Sequence, residues 1–201
     1  DGANLGFLYI TEARSTHLEN ILQALHQSTG IENWVGSVGM GICTINQSYC
    51  GEFFDEPAIA IMTAQLPTDS FVLFQDPNEE VGEENRSVTT ASDFLNGIPF
   101  VLAHADASNP ESLTLVDDLS DKTECFLVGG LTSSRTPSHH VSGSVTCSSI
   151  SGVLFTPDVK IVTSLSQGCQ PIGNPHLIDR CSGNLIVELD GRSALEVLLE
   201  E

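Results

Sequence analysis

Apolar stretches of strand length recur in the same order in the two halves of the chain. They lie at residues 5–11, 34–39, 58–63, 100–104, 126–130 and 151–156. Short apolar runs bounded by turn residues are typical of buried strands. Several corresponding positions, such as Gly36 and Gly129, stand 93 residues apart. The pattern therefore predicts one order of elements that is repeated, with little sequence identity between the copies.

Each half also contains a helix between its first two strands. A capping box at Thr16-x-x-Glu19 predicts where the first helix begins. The apolar residues that follow recur at helical spacing on one face, and they are Leu18, Ile21, Leu22 and Leu25. Asn109-Pro110-Glu111 opens the second helix, with proline at its favoured first position.

These elements predict an α/β fold of two similar β-α-β-β units with mixed sheets, in a stacked αββα arrangement. Residues 1–74 form the first half and 94–201 the second. Between them, residues 75–93 are acidic and rich in turn residues, which predicts a linker loop. Further elements are expected at 160–165 (strand), at 184–189 (strand) and from Ser193 (helix).

The chain is strongly acidic, and this excess of negative charge excludes several classes of binding partner. It carries 27 acidic and 7 basic residues, a net charge of −20. Such a surface repels nucleic-acid phosphates and anionic lipid, so we expect neither nucleic acid nor membrane as partner. The six cysteines are scattered without a Cys-x-x-Cys pair, which indicates reduced thiols and a cytoplasmic location.

The sequence contains none of the common catalytic strings, such as Gly-x-Ser-x-Gly or His-Glu-x-x-His. We therefore expect no enzyme activity and no metal site. One alternative is a nucleophilic Cys169 with His176 as its base, which requires the two side chains to meet. His139 and His140 lie in a Ser/Thr/Pro-rich stretch and are expected to be exposed. His104 ends an apolar strand, where α/β sheets tend to place ligand groups.

Glycine-rich strings distinguish the second half of the chain. They are Val128-Gly-Gly130, Ser151-Gly-Val153, Ser166-Gln-Gly-Cys-Gln-Pro-Ile-Gly173 and the stretch from Gly183 to Val197 with Glu-Leu-Asp-Gly-Arg-Ser-Ala-Leu. Together they resemble the N-terminal FIST domain, a sensory module of F-box proteins and of prokaryotic signalling proteins. The chain departs from the family pattern at His176-Leu-Ile-Asp179, where the family tends to have a Val-Thr pair.

This resemblance implies a signal-transduction domain that binds a small ligand such as an amino acid or small carboxylate. It also implies a following C-terminal FIST domain and signalling partner proteins. Some relatives are described as haem-containing nitric oxide sensors, so a second hypothesis is a haem ligand at His104 or His176. A protein-interaction scaffold in a ubiquitin-ligase-type adaptor is a third.

The ligand site is expected between the two halves, where glycine turns let backbone N–H groups approach a small molecule. Arg192 could clamp a carboxylate, or instead pair with Asp190 or Glu196. The candidate ligand-binding residues are Gly36, Ser37, Gly39, Gly129, Gly130, Gln167, Gly168, Cys169, Gly173 and Arg192.

Overall fold

Two units make up the chain in the computed structural model, Asp1–Ile161 and Val162–Glu201. The structure describes residues 2–45, 50–75, 98–135, 139–164, 168–183 and 185–201. Nearly all of the linker predicted at 75–93 lies outside these residues, and so does the candidate Gln167. The division of the chain at 74 and 94 stays a prediction.

The first unit contains eleven strands and two α-helices within its described residues. The strands are β1 Leu5–Thr11, β2 Asn33–Gly39, β3 Gly41–Ile45, β4 Cys50–Phe54, β5 Ile59–Ala64, β6 Phe71–Gln75, β7 Phe100–Asp106, β8 Phe126–Thr132, β9 His140–Ser142, β10 Ser144–Thr146 and β11 Ile150–Phe155. The helices are α1 Leu18–Thr29 and α2 Ser112–Thr123.

Two mixed sheets are built around two parallel strand pairs. In the first sheet, of order β10-β9-β2-β1-β5, helix α1 connects the parallel strands β1 and β2, and β5 runs antiparallel to β1. In the second, of order β6-β11-β7-β8, helix α2 connects β7 and β8, and β11 runs antiparallel to β7. Strands β3 and β4 form a separate hairpin. The predicted α/β class with mixed sheets is confirmed, whereas the internal duplication stays a prediction.

Three apolar clusters show how the layers pack. On one face of the first sheet, Leu18 and Leu22 of α1 pack against a cluster that contains Trp34, whose indole N–H donates to the Ile31 carbonyl. Leu115 and Leu119 of α2 pack in the same way on the second sheet. A third cluster lies between the sheets, and its buried members are Leu5, Phe7, Val35, Val153 and Phe155. The unit is therefore layered helix, sheet, sheet, helix, because each sheet buries apolar side chains on both faces.

Several local predictions were wrong. The capping box does not form: residues Glu12–His17 are a 3-10 helix, and His17 caps α1 without a side-chain hydrogen bond. Thr16 instead contacts His17 Nδ1 at 3.0 Å. Pro110 precedes the cap of α2, which is Glu111. No strand forms within the described residues 160–164.

The second unit is a small antiparallel sheet with one helix. Its elements are β12 Ile178–Ser182, β13 Leu185–Leu189, β14 Arg192–Ser193 and α3 Ala194–Glu200. The sheet order is β12-β13-β14. Strand β13 and helix α3 match the prediction, while β12 falls in the segment for which no strand was predicted. Of the helices in the described parts of the chain, none is long and apolar enough to cross a membrane.

Candidate functional site

A cavity of about 250 Å³ opens inside the first unit, between its two sheets. It lies toward the carboxyl ends of the parallel pairs β1–β2 and β7–β8, and the β3 residues Gly41 and Ile42 close one side. Carboxyl ends of parallel strands are where α/β folds commonly bind ligands. The polar side chains that line the cavity are Tyr9, Ser37, His104, Thr132 and Ser133.

The strand register explains why these side chains meet. Tyr9 stands opposite Ser37, and Ser37 opposite His140, so the three share one face of the first sheet. In the second sheet His104 stands opposite both Gly130 and Ser151. The Tyr9 hydroxyl and His104 Nε2 are 3.0 Å apart, and this hydrogen bond joins the two rows across the space between the sheets.

His104 is the central polar group of this site. Its side chain is buried, with 6% of the residue exposed, and Nδ1 has no hydrogen-bond partner among the described residues. Burial, and to a smaller extent the nearby His140, lower the pKa of His104 to about 4. The imidazole is therefore neutral at pH 7, and it lines the cavity with one buried ring nitrogen still unpartnered among the described residues.

His140 lies behind His104, with the two ring centroids 6.4 Å apart. It is fully buried, and neither ring nitrogen has a hydrogen-bond partner in the described parts of the chain. Burial lowers the pKa of His140 to about 4, although Asp106 acts in the opposite direction. The expectation that His140 is exposed was wrong, because the residue begins β9 and its side chain lies on the face of the first sheet that meets the second.

Burial also raises the pKa of the Tyr9 phenol above its ordinary value of 10. Tyr9, His104 and His140 are consequently all uncharged at neutral pH. Neither Tyr9 nor His140 was a candidate from the sequence. The alternation of β1 offered a signal for Tyr9, since Leu5, Phe7 and Tyr9 occupy one face and Tyr9 alone of these three carries a polar group.

The structure brings three of the predicted ligand residues together at the cavity: Ser37, Gly39 and Gly130. Gly36 and Gly129 do not line it and do not form the predicted turns, because both lie within strands. A Cβ at Gly36 would stand 1.8 Å from the Leu8 carbonyl oxygen, and one at Gly129 would stand 1.9 Å from that of Ala103. Glycine is required at these positions so that the neighbouring parallel strands can approach closely.

The other described candidates, Gly168, Cys169, Gly173 and Arg192, belong to the second unit. Cys169 is exposed, and Gly173 has a left-handed backbone with φ of 65° beside the Glu201 side chain. Arg192 pairs with Glu200 at 2.5 Å rather than with Asp190 or Glu196 as expected.

His176 is also in the second unit, and both of its ring nitrogens are hydrogen-bonded to carboxylates. Nδ1 is 2.7 Å from Asp190 and Nε2 is 3.2 Å from Glu201. Hydrogen bonds to these two groups raise the pKa of His176 above its ordinary value. In this arrangement neither nitrogen is free to receive a proton from Cys169.

A family model described as the FIST N domain matches residues 4–192 of the chain. The chain belongs to the FIST N domain family. This match confirms the resemblance that the glycine-rich strings suggested. The family consists of signal-transduction sensory domains. No solved structure matches the chain significantly.

Similar curated proteins include an uncharacterized protein of Mycobacterium bovis and another of Mycobacterium tuberculosis. Each is 27% identical to this FIST N domain over 210 residues. The alignments cover 100% of the chain but only 51% of each relative, so the chain spans about half the length of the curated relatives it matches.

The haem hypothesis for this FIST N domain, with His104 or His176 as the ligand, stays a prediction, and two features of the described residues count against it. His104 uses Nε2 in its bond to Tyr9, and the adjoining cavity of about 250 Å³ is smaller than the ~300–1,000 Å³ of clefts that hold even drug-sized molecules. Both nitrogens of His176 are bonded to carboxylates. Among the described residues, no group of three or more His, Cys, Asp or Glu is placed to hold a metal ion.

Proposed function

We propose that this FIST N domain is an intracellular sensory domain that binds a small polar molecule in the cavity between β1–β2 and β7–β8. The observation that carries the proposal is His104, a buried histidine that lines the cavity and whose Nδ1 has no partner among the described residues. A buried polar atom without a partner costs about 1–3 kcal/mol. A ligand that hydrogen-bonds to Nδ1 would remove that cost, so binding and folding would stabilise each other.

The size and position of the cavity support a small ligand. Its volume of about 250 Å³ lies below the ~300–1,000 Å³ of clefts that hold drug-sized molecules. Both sheets contribute to its walls, so a bound molecule would contact Tyr9 and Ser37 on one side and His104 and Gly130 on the other. Such a ligand would stabilise the stacking of the two sheets, which gives a binding event a structural consequence.

The proposal includes no chemical step. His104 contacts the phenol of Tyr9, a group that burial keeps protonated and therefore weakly nucleophilic. The intracellular location is supported by the cysteines, all six of which are free thiols. Signalling partners and the interaction-scaffold alternative remain predictions from the family resemblance.

A thermal-shift and native mass spectrometry screen of the intact chain tests the proposal. The panel contains amino acids, small carboxylates, amines, amides and polyols. We expect at least one compound to raise the melting temperature, and the substitution His104→Leu to abolish that rise. His26→Leu is the matched control, since His26 lies on α1 and outside the cavity lining. The proposal is wrong if no compound stabilises the chain, or if both variants respond as the wild type does.

A further inference from the structure

The cavity of the first unit is bounded by polar groups that carry no charge. Among the described residues that line it there is no Lys, Arg, Asp or Glu. Its two titratable residues, Tyr9 and His104, are both neutral at pH 7 because burial disfavours their charged forms. His140 adjoins His104 and is itself neutral, and the described charged or titratable groups that act on His140 are His139 and Asp106.

Two described arginines that could be considered as partners of an anionic ligand are already paired with carboxylates. Arg135 follows the lining residue Ser133 in the chain, but its guanidinium is 2.5 Å from Asp55 and 3.9 Å from Glu12. Arg192, which the sequence suggested as a carboxylate clamp, belongs to the other unit and is paired with Glu200. A carboxylate in the cavity would therefore lose its water without gaining a positive partner from the described residues, which is strongly unfavourable.

The same groups form a site that can both donate and accept hydrogen bonds. If the Tyr9 hydroxyl donates to His104 Nε2, then Nδ1 carries the proton and donates toward the ligand. If Nε2 carries the proton and donates to Tyr9, then Nδ1 is an acceptor. The Ser37 hydroxyl, on the face next to Tyr9, can likewise donate or accept. The site can thus match a ligand that has both kinds of group.

We propose that the cavity recognises an uncharged molecule with an adjacent hydrogen-bond donor and acceptor, of the primary-amide type, rather than an acid or an amine. The inference rests on the proposed binding function and specifies the ligand class. The carboxamide oxygen and N–H would pair with His104 Nδ1 and with the hydroxyls of Ser37 and Tyr9. No charge would be buried without a counter-charge.

Benzamide, benzoate and benzamidine test this class, because they share one planar shape and are neutral, anionic and cationic at pH 7.5. Binding of each to the intact chain is measured by ligand-observed NMR. We expect benzamide to bind at least about ten-fold more tightly than either charged probe, since an unpaired buried charge costs more than the 1.4 kcal/mol that a ten-fold difference represents.

Two variants and one spectroscopic readout place the binding at His104. His104→Leu should abolish benzamide binding, while His104→Gln, which retains an uncharged donor and acceptor, should preserve part of it. Histidine ¹⁵N NMR should show the His104 ring perturbed by benzamide yet still neutral. This readout does not depend on whether a variant folds.

The outcomes distinguish a failure of the proposed ligand class from a failure of the proposed binding function. Equal or tighter binding of benzoate or benzamidine in the cavity overturns the uncharged class and leaves the binding function standing. Failure of benzamide to perturb His104 overturns the class as well. Absence of any stabilising compound in the wider panel of small molecules removes the binding function itself.

Discussion

Two histidines in the two units of the chain show how environment sets the role of one residue type. His104 is buried between sheets, bonds a neutral phenol and is held uncharged. His176 is on the surface of the second unit, bonds two carboxylates, and has its pKa shifted in the opposite direction. His104 lines a cavity and has one ring nitrogen without a partner among the described residues, whereas His176 uses both nitrogens within its own unit. The comparison indicates where a ligand can be bound, since only one of these sites has unused hydrogen-bonding capacity.

Glycine substitutions should show the largest difference between the two units. Gly36→Ala would place Cβ 1.8 Å from the Leu8 carbonyl oxygen, so β1 and β2 would have to separate. We expect a loss of roughly 4 kcal/mol or more in the free energy of unfolding, at the exceptional end of single substitutions. Gly168→Ala is the matched control in the second unit, because a Cβ there meets no described atom within 4 Å. Urea denaturation measures both, and equal stability of the two variants would contradict this account of Gly36.

Acidification should destabilise the first unit through its buried histidines. The pKa values of His104 and His140 are about 4 in the folded chain, below the ordinary value of 6.5. The unfolded chain therefore binds more protons between pH 6.5 and 4, so stability is fully present above 6.5 and falls as the pH is lowered toward 4. Each histidine contributes up to about 3 kcal/mol to this loss.

Urea denaturation at pH 7.5 and at pH 5 measures the effect, with His104→Leu as the variant that should reduce the difference between the two values. The pH dependence due to His176 has the opposite sign, because its pKa is raised in the folded chain. Its contribution to the stability of the fold is present below pH 6.5 and is lost as the pH rises through the raised pKa. His176→Gln should therefore leave the acid-induced loss in place. If His104→Leu retains the full acid sensitivity of the wild type, His104 does not titrate as described.

The smallest effect is expected at Arg192. Its ion pair with Glu200 is on the surface, and both side chains are about half exposed or more. Solvent screens exposed pairs of this kind, so they contribute little to stability and Arg192→Ala should change the melting temperature little. If the cavity of the first unit is the ligand site, Arg192→Ala should also leave the affinity for a stabilising compound unchanged. A large loss of affinity would show that Arg192 takes part in binding.

The sequence predicted the strands and helices well because their apolar patterns are local. The faces of α1 and α2 follow from helical spacing, and β1, β2, β5, β7, β8 and β11 follow from short apolar runs. Glycine was harder to interpret from one chain: Gly36 and Gly129 suggested turns, although they lie within strands that approach closely. Turn chemistry is a local signal, whereas contact between strands depends on the tertiary fold.

The candidate site was only partly predictable for the same reason. Ser37, Gly39 and Gly130 were candidates and line the cavity, but Tyr9 and His140 were missed. Their role depends on strand register and on the stacking of two sheets, which bring Tyr9 and His104 together from positions 95 residues apart. His140 was misassigned because a histidine pair in a polar stretch gives no local sign of burial.

Histidine ¹⁵N NMR of the intact chain, recorded while a stabilising compound is added, tests the central claim most directly. The account predicts that the His104 ring resonances shift with the bound fraction, while those of His176 stay unchanged. A shift of His176 without a shift of His104 would contradict it, and would place the ligand in the second unit instead of the cavity.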